Sequence, residues 1–130
     1  KKSSKFLREA LRAVVTEGTG AGAFSGFPVS IAGKTGTAED KGRNKDGSAK
    51  ADTAWFASFA PAEKPKYAVV MVVSQGGFGG SISAVGVKDI YTSLFGVSGG
   101  KVDPAKEIFP NGVPSQLPKV DPKNAKLVKP

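Results

Sequence analysis

The chain has 130 residues, 39% hydrophobic and 23% charged, which is the length and balance of one globular domain and too little for two full cores. It contains no cysteine and no histidine, excluding a disulfide framework, a thiol nucleophile, a zinc knuckle and a Ser-His-Asp triad. Nineteen Lys and Arg against 11 Asp and Glu give a net charge of +8, so an anionic partner must be weighed, although the charges form no basic stripe.

Leu7, Ala10, Leu11 and Val14 recur at i, i+3, i+4 and i+7 with Arg8, Glu9 and Arg12 opposite. This predicts an amphipathic helix over about residues 4–17, with Ser3 or Ser4 as its cap and Gly18 as a left-handed stop. Lys1 and Lys2 lie at the positive end of that helix dipole, an unfavourable place for cations, and imply a native chain that begins further upstream. Residues 18–28 hold four glycines and Pro28, a loop that must bend and approach other backbone closely.

Next, Val29, Ile31, Gly33, Thr35 and Thr37 fall on one side of a strand, and Ser30, Ala32, Lys34, Gly36 and Ala38 on the other. A charged, glycine-bearing loop follows from Asp40 to Lys50. Thr53 to Ala60 and Tyr67 to Ser74 read as a hairpin across the loop 61–66. Both parities of the second run are apolar, which predicts a strand covered on both faces. Val87, Ile90, Tyr91 and Leu94 mark a second helix stopped by Gly96.

From Ser98 onward the chain has six prolines and six lysines without periodicity, read as an extended or disordered tail. The expected organisation is therefore α+β, a helix, three antiparallel strands and a helix over residues 1–97, followed by a tail over 98–130. One sheet face and the sheet edges are left for something outside this chain to cover.

The strongest chemical signal is Gly33-Lys34-Thr35-Gly36-Thr37. A phosphate-binding P-loop would need a glycine where Pro28 stands, and a helix after the loop instead of continued alternation. The other reading is a strand that offers a cation and hydroxyls to an extended ligand. Lys34 supplies charge, Thr35 and Thr37 supply hydroxyls, and Gly36 lets a ligand backbone approach. Lys34 and Thr35 point to opposite faces, so one ligand meets both only along the strand edge, as in β-addition of a peptide whose terminal carboxylate is bound. A lysine snorkelling beside ordinary strand threonines fits the same spacing.

Lys34-Thr35-Gly36 followed by Thr37-Ala38-Glu39, with Ala54-Trp55-Phe56 and Phe59-Ala60-Pro61 a short loop later, resembles the Lys-Thr-Gly box of penicillin-binding proteins. Val14 to Gly20 is similar to the segment preceding that box, and the resemblance spans about residues 6–96. Trp55 to Pro61 and Tyr67 to Gly77 look most like a class B, elongation-type transpeptidase of an actinobacterium. The resemblance implies part of the penicillin-binding protein/serine β-lactamase-like fold and an acyl-transfer site.

In that site Lys34 binds the substrate carboxylate and tunes proton transfer, while Thr35, Gly36 and Thr37 complete the substrate-binding strand. The Thr37 backbone N–H is one oxyanion-hole donor. Trp55 supports the site strand from the neighbouring strand, although its burial alone suggests plain core packing. The implied partners are peptidoglycan stem peptides, β-lactams and the N-terminal remainder of the same protein, at the extracytoplasmic face of the bacterial membrane with the anchor upstream.

No metal, cofactor or nucleic acid is expected. The sequence has no Ser-x-Asn, and its only Ser-x-x-Lys, Ser98 to Lys101, carries two glycines where the nucleophile needs a helical turn. The nucleophile is thus expected upstream, leaving this chain inactive alone. Two alternatives are a non-catalytic homologue that senses β-lactams or stem peptides, and a basic nucleic-acid-binding module, which the core character of Phe56, Phe59 and Tyr67 opposes.

Overall fold

The computed structural model describes residues 2–113. Along the chain lie α1 (Lys2–Thr16), α2 (Ala21–Phe24), β1 (Ala32–Ala38), β2 (Thr53–Ala60), β3 (Tyr67–Val73), α3 (Ser83–Leu94), β4 (Val97–Ser98), β5 (Lys101–Val102) and a 3-10 turn (Pro104–Lys106). β1, β2 and β3 form an antiparallel sheet in that order, with Thr35 opposite Phe56 and Phe56 opposite Met71. The helix, three-strand meander and second helix expected from periodicity are all present.

Strand side chains alternate, so this register sorts the sheet into two faces. Thr35, Phe56, Ser58, Tyr67 and Met71 share the inner face, which α3 covers with Val87 and Tyr91, both fully buried. The Met71 thioether lies directly against Gly86, so α3 and β3 approach closely there. Phe24 from α2 packs on Phe56 at 5.6 Å between ring centroids, and Phe95 meets Tyr67 edge-on at 5.4 Å. Fully burying an aromatic or aliphatic side chain of this size stabilises by about 2 kcal/mol, and Phe56 at the centre is 0% exposed.

The outer face is mostly apolar, Lys34 and Thr53 excepted, and among the described residues it is open around Trp55 and the even positions of β3. Trp55 pairs with Val72 and Ala57 with Val70, and Trp55, Val70 and Val72 are 43%, 63% and 47% exposed.

Five local expectations need correction. α1 already includes Ser3 and Ser4, so neither caps it. Its apolar stripe is not buried along its length: Leu7 and Ala10 are exposed, Leu11 and Val14 are half-buried, and the one enclosed residue of the helix is Val15, beside the stripe. Gly18 ends α1 by close approach, since a Cβ there would sit 2.9 Å from the Val14 Cα; its N–H donates to the Ala13 carbonyl at 3.0 Å. Residues 21–24 of the glycine-rich loop form α2, because Phe24 gains burial there. Ile90 on α3 faces outward.

The segment after Ser98 also departs from the expected tail. Gly99 and Gly100, at φ 58° and 75°, close β4 onto β5, with Val97 opposite Val102. Positive φ at both central residues is the two-residue hairpin geometry that glycine suits. Lys66 then pairs with Glu107 at 3.0 Å, and the Ile108 N–H donates to the Ser93 carbonyl at 3.1 Å, tying this stretch to the end of the β2–β3 loop and to α3. Residues 114–130 of the expected tail lie outside the described residues.

Candidate functional site

Lys34 is the one charged side chain in the three strands of the sheet. It is exposed on the outer face opposite Ala57, and its Nζ donates to the Thr35 carbonyl at 2.7 Å. β1 pairs with β2 along one side only, so among the described residues its other edge has no strand partner. Residues 33–37 are extended throughout and paired with residues 58–54. This is not the coiled turn a phosphate would need, and the P-loop reading is excluded.

Thr35 and Thr37 share the inner face but differ in exposure. Thr35 is 7% exposed, with its Oγ1 2.5 Å from that of Thr19. The Thr37 side chain is more open and accepts a 3.4 Å hydrogen bond from the Gly79 N–H. Gly36 lies opposite Trp55, where a Cβ would come within 3.3 Å of the Trp55 Cβ. Trp55 is therefore the neighbour of the site strand, and its core-packing reading is corrected: the indole stands on the outer face, because the odd positions of β2 point away from α3. Phe59 has the same parity and is only half-buried, unlike Phe56 and Tyr67.

Ser98 is held apart from any such site. It sits across the β4–β5 hairpin from Lys101, and its hydroxyl accepts from Lys106 Nζ at 3.0 Å. A serine and lysine opposed across a hairpin do not share a helical face, so the pair lacks the disposition of a nucleophile and its base.

Sequence reasoning missed Thr19, Gly79 and Gly80. Gly79 is wedged against the Gly36 and Trp55 carbonyls, and Gly80 against the Thr19 carbonyl, with no space for a side chain at either. Thr19 and Thr35 are 16 residues apart and Gly79 and Thr37 are 42 apart, separations that leave no local pattern. The glycine pair Gly79-Gly80 was the only available signal, and it marked a turn equally well.

Two concavities lie away from this strand. One of about 530 Å³ runs between α1 and residues 24–31, and one of about 480 Å³ between α1 and the β2–β3 loop. Neither includes residues 34–37, whose unpaired strand edge suits an extended ligand better than a compact one. Beside both concavities Glu63 receives the Ser30 hydroxyl and faces Arg12 at 3.5 Å, while Arg8 Nη1 donates to its backbone carbonyl at 2.7 Å. The Ser30 hydrogen bond, with the two arginines assisting, holds the Glu63 carboxyl below the ordinary glutamate value.

A family model described as the penicillin binding protein transpeptidase domain matches residues 1–113. The crystal structure of Pseudomonas aeruginosa PBP2 in complex with WCK 5153 is similar at 31% identity and a TM-score of 0.62, over 74% of this chain and 20% of that one. PBPA from Mycobacterium tuberculosis is similar at 31% identity and a TM-score of 0.51, over 72% of this chain and 22% of that one. The chain thus spans about a fifth of the length of these structures. No curated protein matches it.

Proposed function

The chain belongs to the penicillin-binding protein transpeptidase family, and from that premise we propose that it is the C-terminal portion of a D,D-transpeptidase domain of the class B, elongation type. The reaction is acyl transfer during peptidoglycan cross-linking. An upstream serine hydroxyl attacks the carbonyl between the two D-alanines of a stem peptide, the terminal D-alanine leaves as the amine, and the acyl group passes to an amine of a second stem peptide. β-Lactams acylate the same serine. The protein works at the extracytoplasmic face of the membrane with its anchor upstream; among the described residues no helix is long and apolar enough to cross a membrane.

The observation that supports this reading most is a lone cation on a strand with an unpaired edge. An extended peptide lying along β1 brings its terminal carboxylate to Lys34, where a charge-assisted hydrogen bond replaces the internal one to the Thr35 carbonyl. Thr35 and Thr37 add hydroxyls, Gly36 leaves the strand bare for the ligand backbone, and the Thr37 N–H stabilises the oxyanion. Trp55 backs Gly36 from the adjacent strand. The open outer face beside Lys34 is the seat of the N-terminal remainder, which brings the nucleophile to the strand.

Labelled penicillin tests the proposal. It is expected to acylate the full-length protein at a serine upstream of this chain, and Lys34→Ala is expected to slow acylation by about 100-fold or more, the usual cost of one positioned electrostatic group. Acylation of a serine within these 130 residues, or normal kinetics in the Lys34 variant, would overturn it.

A further inference from the structure

We propose that Thr19 is a positioning residue for the substrate carboxylate, acting through Thr35; this rests on the reading of β1 given above. The two hydroxyl oxygens are 2.5 Å apart, and either can donate. Each hydroxyl has one proton. If Thr35 donates to Thr19, its proton is spent internally; if Thr19 donates to Thr35, the Thr35 proton is free to reach an acceptor at the strand. A bound carboxylate selects the second arrangement, and a hydroxyl that already accepts a hydrogen bond is the stronger donor. Thr35 alone is 7% exposed, so its single proton has to be aimed.

The backbone holds Thr19 where this requires. The Gly18 N–H donates to the Ala13 carbonyl at 3.0 Å and the Gly20 N–H to the Val14 carbonyl at 2.9 Å, fixing the chain on both sides of Thr19. Gly80 packs against the Thr19 carbonyl with no room for a side chain. The Thr19 side chain is exposed and adds nothing to the core, so its hydroxyl is the part of it that has a partner.

A double-mutant cycle in the full-length protein separates positioning from structure. The readout is the ratio of acylation rates by benzylpenicillin and by its methyl ester, which lacks the negative charge. Thr35→Val is expected to lower that ratio about tenfold or more, as loss of one hydrogen bond to a charged group does, Thr19→Val by a smaller factor because the Thr35 hydroxyl remains but is no longer aimed, and the double variant no further than Thr35→Val alone. Thr19→Ser should restore the ratio, and Thr19→Ala should reproduce the loss if the valine variant folds poorly. Additive losses, or equal slowing with acid and ester, would overturn the inference. A collapsed ratio in Lys34→Ala with an unchanged one in Thr19→Val would sink the Thr19 role alone, whereas an unchanged ratio in Lys34→Ala would sink the reading of β1 itself.

Discussion

Tyr91 and Ser58 meet through a 3.0 Å hydrogen bond in the interior, and Ser58 donates onward to the Val69 carbonyl at 3.1 Å. Ser58 has one proton, so the order of donation is Tyr91 to Ser58 to Val69. Burial pushes the Tyr91 hydroxyl above its ordinary value, with the Ser58 bond pulling the other way. The folded protein therefore holds this proton to higher pH than the unfolded chain does. The associated stability is complete below the ordinary tyrosine value of about 10 and is lost as pH rises through the folded value. Tyr91→Phe is expected to cost about 1 kcal/mol at neutral pH, since Ser58 keeps Val69, and to flatten the alkaline loss. Denaturant melts of both proteins between pH 8 and 11 measure this, and parallel curves would refute it. Gly79 carries a steric prediction at the same scale. Alanine there drives a methyl group into the Gly36 and Trp55 carbonyls, and the variant is expected to lose about 1–3 kcal/mol of stability together with penicillin acylation. Full acylation in a Gly79→Ala protein would show that the loop does not brace the strand.

Between elements, the clearest tie is the β2–β3 loop reaching back to α1 and to the chain entering β1. The Ala62 N–H donates to the Ser30 carbonyl at 2.9 Å, and Glu63 gathers Ser30, Arg8 and Arg12. The Glu63 carboxyl is depressed, so the stability it contributes is present above the ordinary glutamate value of about 4.3 and is lost as pH falls through the lower folded value. The group is solvent-exposed, which makes the effect small and salt-sensitive. Glu63→Gln should flatten the acid limb of the thermal stability profile at low salt and match the parent in high salt; an unaltered acid limb would remove the tie. This tie was illegible in the sequence, where residues 61–66 showed only a hairpin loop. The strands and long helices were legible because their apolar spacing has a period, and Lys34 was legible because a cation interrupts it. Four-residue α2 is too short for a period. Val97 to Val102 did carry a signal, Gly99-Gly100 between paired residues, but the prolines that follow masked it.

At the scale of the molecule, the sheet has one finished face and one unfinished face. The inner face has α3 and a buried aromatic cluster, whereas the outer face leaves Val70, Val72 and Trp55 largely in solvent. Apolar residues at both parities of β3 already implied two covered faces, because such a strand gains little from burying one. The residues that would cover the second face cannot be read from this sequence, since the chain spans only about a fifth of the solved structures it matches. The exposed start of α1 is similar, where Leu7 belongs to the apolar stripe without being buried and Phe6 beside it is exposed as well. If the N-terminal remainder seats on the outer face, Val70 is a core residue of the whole protein although it is 63% exposed in this chain. Val70→Lys then forces an unpaired cation into an apolar interface, at a cost of about 3 kcal/mol or more. The expected outcome is a full-length protein with a sharply lower melting temperature and little penicillin acylation, while Ile90→Lys, at the outward position on α3, changes neither. A full-length Val70→Lys protein that melts and acylates like its parent would place the remainder elsewhere and leave Lys34 without a nucleophile brought across the sheet.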